Sequence, residues 1–304
     1  MRKAAYSGKF YEANPNKLKS QIESCFYNKF GPLEFPKFIA NKKEKIYGAV
    51  CPHAGYVFSG PCTAYFYKEL MESNKNLLPN IFIVLGTNHT GKNNLDFSIS
   101  AEDFETPLGI MGNALDLTGK IIANKGLGVL AGKDEAPHVD EHSIEVQLPF
   151  IQHMYSQVNK TAKIVPIIVS CNDLEKINTF ALELAKIIKE YEKETKNHVV
   201  VLASSDMTHY GLAYGFLPFS PSYAKEHLRE FDKKIIREIL KGDIKGFYEE
   251  AQKSTICGMF PIITLMATVR KLGARKGFLL KYYNSGDVSK DYSSAVGYAS
   301  IVFK

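Results

Sequence analysis

The chain has 304 residues, 45% of them hydrophobic and 23% charged, the balance of a globular protein with a large core, which excludes a disordered or fibrous chain. Its 38 basic and 32 acidic residues leave a net charge of +6, spread along the sequence in mixed-sign clusters such as Lys42-Lys43-Glu44-Lys45 and Lys189-Glu190-Tyr191-Glu192-Lys193. Nucleic-acid binding is therefore not expected, because no basic stripe stands out.

In chain order, the first signal is Asn14-Pro15, a cap followed by a proline, after which Leu18, Ile22, Cys25, Phe26 and Phe30 trace one helix face. A second helix opens at Asp173, with Leu174, Ile177, Ala181, Leu184, Ile188 and Tyr191 on its stripe. Ser222 is expected to open a third through Leu228, Phe231, Ile235 and Ile239. Between the helices lie β-branched runs at Ile46 to Cys51, Ile81 to Leu85, Ile164 to Val169, Val199 to Leu202 and Phe278 to Tyr283, and Ala295 to Phe303 reads as an added edge strand. Continuous apolar strands interleaved with helices predict an α/β fold, a three-layer αβα arrangement around a mostly parallel or mixed sheet. No repeat or linker divides the chain, so residues 1–304 read as one domain.

The longest apolar runs fall far short of the roughly 18 residues of a membrane span. Residues 1–20 lack the apolar centre of a secretory signal, and a cytoplasmic location is expected. The five cysteines, Cys25, Cys51, Cys62, Cys171 and Cys257, form no C-x-x-C pair and read as reduced thiols.

Chemistry concentrates after the strands. The first run leads into Pro52-His53-Ala54-Gly55-Tyr56, the second into Gly86-Thr87-Asn88-His89-Thr90-Gly91, and the fourth into Ser204-Ser205-Asp206-Met207-Thr208-His209-Tyr210-Gly211. Ligands of open α/β sheets bind beyond the carboxyl ends of the strands, so parallel neighbours would bring His53, His89, Asp206 and His209 into one cleft. A fourth cluster, Pro137-His138-Val139-Asp140-Glu141-His142-Ser143-Ile144-Glu145, leads into an amphipathic helix with Ile144, Leu148, Ile151 and Tyr155, and reads as part capping and part site. Cys257, followed by Gly258 and Pro261, is expected at a helix start, where the dipole favours a thiolate. Tyr56 and Tyr210 are candidate pocket-lining residues or ordinary core. His153, His198 and His227 read as surface or strand-edge residues.

Taken together and in this order, PHAGYVFSG, TNHTG, DEHSIEVQLPF, SSDMTHYG and CGMFPI resemble the Memo family, the protein B type of the AmmeMemoRadiSam system, and the opening AYSGKFYEANPNKL is similar to that family's amino-terminal segment. The family is in turn similar in fold to the class III extradiol, LigB-type dioxygenases. The resemblance implies that His53, His89 and Cys257 line a pocket that binds iron or copper, and that Asp206 and His209 face it. It also implies radical SAM and AMMECR-type partner proteins.

Two histidines and a carboxylate would suit non-haem Fe(II), whereas a thiolate shifts preference toward Cu(I) or zinc. Cys257 and Asp206 both stay open as third ligand. His209 is the natural acid/base, Asp206 its orienting partner, and Asp140, Glu141 and His142 a supporting layer. The reading is a metal-binding, dioxygenase-like oxidoreductase of unnamed substrate. A phosphopeptide-binding adaptor with a vestigial pocket is the alternative, weakened by the absence of tryptophan. A zinc hydrolase using Glu141 or Glu145 to activate water ranks third.

Overall fold

In the computed structural model, residues 1–37, 44–73, 78–274 and 276–304 are described. The strands are β1 (Gly48–Cys51), β2 (Ile81–Thr87), β3 (Phe97–Ile99), β4 (Phe104–Thr106), β5 (Gly109–Met111), β6 (Ala131–Lys133), β7 (Lys163–Val169), β8 (Val199–Ser204), β9 (His209–Gly211), β10 (Gly277–Asn284) and β11 (Ser294–Phe303). The helices are α1 (Pro15–Tyr27), α2 (Tyr56–Met71), α3 (Leu115–Ile122), α4 (His142–Glu145), α5 (Leu148–Ser156), α6 (Leu174–Thr195), α7 (Ala224–Lys241), α8 (Ile244–Ala251), α9 (Met259–Leu272) and α10 (Ser285–Ser289).

Nine strands form one mixed sheet in the order β10-β11-β1-β8-β2-β7-β3-β6, with β9 pairing β11. Its centre, β1, β8, β2 and β7, is parallel. β11 runs antiparallel to β1, β10 and β9. The β4–β5 hairpin stands apart.

The central strands are apolar on both faces because both are covered. Val50, Ile83 and Val201 enter the core beneath α6 and α9, while Ala49, Val84 and Val200 enter the one beneath α1, α2 and α5. Successive side chains of a strand point to opposite faces, which divides each run between two cores.

Local chemistry sets the helix starts. The Asn14 carboxamide oxygen accepts the N–H groups of Asn16 and Lys17, and Asp173 accepts those of Glu175 and Lys176, as N-caps do. Four expectations need correction. Phe30 lies beyond the end of α1 and stacks on Tyr283. Ser222 does not open a helix: Pro221–Tyr223 is a 3-10 turn capped by Ser220, and α7 follows it. Ala295 to Phe303 belongs to β11, which is interior to the sheet, and β10 is the edge. The cluster ending at Tyr155 forms two helices, α4 and α5, with Pro149 in the first turn of the second.

Of the Lys42-to-Lys45 cluster, Lys42 and Lys43 lie outside the described residues, and Lys45 pairs with Glu192 at 2.6 Å. Among the described residues, no helix is long and apolar enough to cross a membrane.

Candidate metal centre

β1, β8 and β2 are parallel neighbours, so their carboxyl ends at Cys51, Ser204 and Thr87 lie side by side. The segments leaving these ends carry His53, Asp206 and His89. β9 begins with His209, and the loop before α9 brings in Cys257. Two glycines permit this convergence. A Cβ on Gly86 would lie 2.6 Å from Ile144 Cγ1, so only glycine lets α4 rest on the end of β2. A Cβ on Gly258 would lie 2.4 Å from Ser205 Cβ, so the Cys257 loop reaches β8 only through glycine.

Hydrogen bonds fix which ring nitrogen of each histidine carries the proton. His53 Nδ1 lies 3.1 Å from Ser204 Oγ. That hydroxyl donates its single proton to Ser143 O at 2.6 Å, so it must accept from the imidazole. His89 Nδ1 lies 2.9 Å from a Glu141 carboxylate oxygen, and His209 Nδ1 lies 3.1 Å from both Met207 O and Thr255 O. Carboxylates and carbonyls only accept, so all three rings hold their proton on Nδ1 and keep the Nε2 lone pair for a ligand.

The ligand atoms of His53, His89 and Cys257 all lie within 4.8 Å of one another, and His53 Nε2 is 3.3 Å from Cys257 Sγ. A second group, His89, Glu141 and His142, also meets that distance, but there the Glu141 carboxylate already accepts from His89 Nδ1 and from the backbone N–H groups of His89 and Ser143. The first group has the donor chemistry of a transition-metal site: two imidazoles, one thiol, and an acceptor behind each ring.

Burial dominates the electrostatics. It pushes the His53 imidazole down to about 3, with neighbouring His89 adding to the effect. It likewise lowers His142 to about 3, reinforced by His53. Neutral imidazole is the form that binds metal. Burial alone would raise Glu141, but the His89 hydrogen bond, the His89 and His142 charges and the Ser143 N–H hold it down at about 2. Asp206 is raised by burial despite facing His209. Cys257 corrects an expectation. It does precede α9, but burial, followed by the Asp206 charge, pushes its thiol up to about 12. Without a metal the sulfur is protonated, and a bound cation would take the proton's place.

The cavity above these atoms measures about 690 Å³. His142, Asp206 and His209 line it together with Phe10, Phe58, Tyr214, Val296 and Tyr298. Asp206 Oδ1 accepts the His53 N–H at 2.8 Å and the Ala54 N–H at 3.3 Å. The His142 ring stacks on His89, with centroids 4.5 Å apart.

Several candidates point elsewhere. Tyr56 and Tyr210 are buried and do not line the cavity: their hydroxyls donate to Val146 O at 2.7 Å and Phe219 O at 2.9 Å. Asp140 is exposed and pairs with Lys92. Glu145 accepts from Arg2, the Ala5 and Tyr6 N–H groups and the Tyr11 hydroxyl, which leaves it no part in activating water. His138 is buried and donates to Ser98 O. His153 is not a surface residue; it is buried, 3.2 Å from Glu23.

The sequence reading missed Ser204, Thr255 and Phe10. Ser204 ends β8 within a motif already singled out and was legible there. Thr255 had no signal: its hydroxyl accepts the His209 N–H at 2.9 Å and donates to His209 O at 2.5 Å, bolting the Cys257 loop to β9.

A family model described as Memo-like protein matches residues 2–302. A MEMO1 family protein of Methanosarcina acetivorans is 36% identical over 99% of this chain and 98% of its own length. Relatives described in the same words are 37% identical in Methanocaldococcus jannaschii, over 99% of this chain and 98% of theirs, and 37% identical in Nitrosopumilus maritimus, over 100% and 99%.

Proposed function

The chain belongs to the Memo family, and from that premise we propose that it is a metal-dependent, oxidoreductase-type protein holding one iron or copper ion on His53 Nε2, His89 Nε2 and Cys257 Sγ. The observation that carries this reading is that His53, His89 and Cys257 each bring a ligand atom within 4.8 Å of the others, with His53 Nε2 3.3 Å from Cys257 Sγ and both imidazoles engaged at Nδ1 so that Nε2 is left for a ligand. Such an ion, when bound, would supply redox and Lewis-acid chemistry, with three protein ligands leaving positions open for substrate. The sulfur favours soft ions such as Cu(I) over the harder cations, and the two imidazoles suit iron as well as copper.

This chain's own residues do the rest. His209 Nε2 accepts a proton from an acidic substrate group, while the Met207 and Thr255 carbonyls hold its ring by Nδ1. Asp206 grips the His53 and Ala54 amides and so sets the height of His53 in the site. Phe10, Phe58 and Tyr298 give the cavity apolar lining.

The phosphopeptide-adaptor alternative draws no support from the lining. Among the described residues that form it there is no lysine or arginine, and a phosphate would meet neutral imidazoles and the Asp206 carboxyl group. The test is elemental analysis of protein purified anaerobically without an affinity tag or chelator. Near-stoichiometric iron or copper that disappears in His53→Ala is expected. Metal-free protein that also refuses Fe(II) and Cu(I) on reconstitution would overturn the reading.

A further inference from the structure

Asp206 and His209 both line the cavity of the candidate metal centre, yet they stand three positions apart in the chain. In a plain strand an odd spacing sends two side chains to opposite faces, so the segment between them has to gain a residue. The hydrogen bonds show where. Gly297 of β11 donates its N–H to Thr208 O at 3.0 Å but accepts the Met207 N–H at 2.8 Å, whereas a hydrogen-bonded antiparallel pair exchanges both bonds between the same two residues. Met207 and Thr208 together oppose one residue. That is a β-bulge, which bends a strand and re-aims its side chains.

The bulge displaces the Thr208 N–H from the ladder, and Asp232 takes it. This carboxylate reaches in from α7 and is fully buried. Its Oδ1 accepts the Thr208 N–H at 3.2 Å and the Thr208 hydroxyl at 2.5 Å, while Oδ2 accepts the Tyr282 hydroxyl at 2.8 Å. All three donors are uncharged. A buried carboxylate is costly to leave without its hydrogen bonds, so release of Thr208 is opposed. A Cβ on Gly297 would collide with Asp232 Oδ2, and only glycine admits the carboxylate against β11.

We propose that Asp232 is a positioning residue of the cavity: by holding the bulge at Thr208 it turns Asp206 and His209 to the same side and presents Met207 O to His209 Nδ1. That carbonyl lies 3.1 Å from the ring nitrogen and is one of the two acceptors that fix its tautomer, the other being Thr255 O. The role rests on the reading of His209 as the proton acceptor; it requires no metal.

The test is nitrogen NMR of the full, metal-free chain carrying isotope-labelled histidine, at about pH 8, where a free imidazole is neutral, with the His209 signals assigned through His209→Gln. Wild type is expected to show the His209 proton on Nδ1. Asp232→Asn sets an N–H donor against either Thr208 or Tyr282, and the His209 ring nitrogens are expected to move toward the average of the two tautomers while those of His53 and His89 stay in place. Thr208→Val removes the hydroxyl alone, is expected to move His209 the same way by less, and decides the matter if Asp232→Asn does not fold. Tyr282→Phe takes away a donor outside the bulge and is expected to lower the melting temperature with the His209 signals unmoved. Iron and copper content, measured separately, distinguishes the two readings: wild type that binds neither would overturn the metal centre and leave the His209 result standing. The proposal is overturned if His209 is unchanged in the folded variants, or if His53, His89 and His209 shift together, which would make Asp232 a general support of the fold.

Discussion

Glu141 and Glu145 stand one turn apart at the two ends of α4, both buried, the first with three hydrogen-bond donors and the His142 ring beside it, the second with four donors. Glu141 faces the cavity and accepts from the His89 N–H at 2.7 Å, His89 Nδ1 at 2.9 Å and the Ser143 N–H at 2.8 Å, with His142 Nδ1 at 3.3 Å. Glu145 faces the amino-terminal segment and accepts from Arg2 at 2.5 Å, the Ala5 and Tyr6 N–H groups at 2.9 Å and the Tyr11 hydroxyl at 2.5 Å. The same side chain in the same degree of burial therefore does two jobs. One carboxylate orients an imidazole of the candidate metal centre; the other holds Arg2 to Tyr11 against the body, and with it Phe10 beside the cavity. The donors, rather than the acids, decide the role.

The sharpest way to break this comparison is Glu145→Ala. Arg2 is buried, and without its counter-charge the protein is expected to lose about 3–5 kcal/mol in urea denaturation, while the folded fraction keeps its metal stoichiometry. Metal loss without destabilisation would assign Glu145 to the site instead. Glu141→Gln is expected to do the reverse. Gln retains one acceptor oxygen, so stability should change little, but chelator competition should show a metal affinity about 10–100-fold weaker, as for other carboxylates behind ligating histidines. Unchanged affinity would reduce Glu141 to a helix cap.

Acid separates the two groups further. His53 and His142 have folded values of about 3 against 6.5 for a free imidazole. Between those values the unfolded chain binds more protons, so the stability of metal-free protein falls as pH drops from about 6.5 toward 3. Glu141, depressed to about 2, contributes stability that is full above the ordinary carboxylate value and fades as pH falls toward 2. Urea titrations across pH should show the histidine phase shrink in His142→Phe; an unchanged slope would remove His142 from the account. The smallest effect belongs to Asp140→Ala. Its pair with Lys92 is exposed, so a change under about 1 kcal/mol and no change in metal content are expected.

These three acids also mark how far the sequence could be read. Asp140, Glu141 and Glu145 look alike in a string, and only the fold gives one to solvent, one to the imidazoles and one to Arg2, which lies far away in the chain. The strand ends were legible because parallel neighbours must place their following loops together, and His53, His89 and Asp206 follow such strands. Tyr56 and Tyr210 were not, because a tyrosine beside a site motif serves a core as readily as a pocket, and both hydroxyls found carbonyls inside. The placement of β11 in the sheet interior was hidden for a similar reason. An apolar run at the end of a chain carries no signal of which strands flank it. The state of the Cys257 thiol was misjudged because helix position was visible in sequence and desolvation was not.

The most direct test is X-ray absorption at the metal edge of protein loaded anaerobically with Fe(II) or Cu(I), compared with Cys257→Ser. The account predicts one sulfur scatterer near ~2.3 Å and imidazole nitrogens near ~2.0–2.1 Å, taking zinc-site distances as the guide, with the sulfur shell gone in the variant. A first shell of light atoms alone, identical in both proteins, would contradict it.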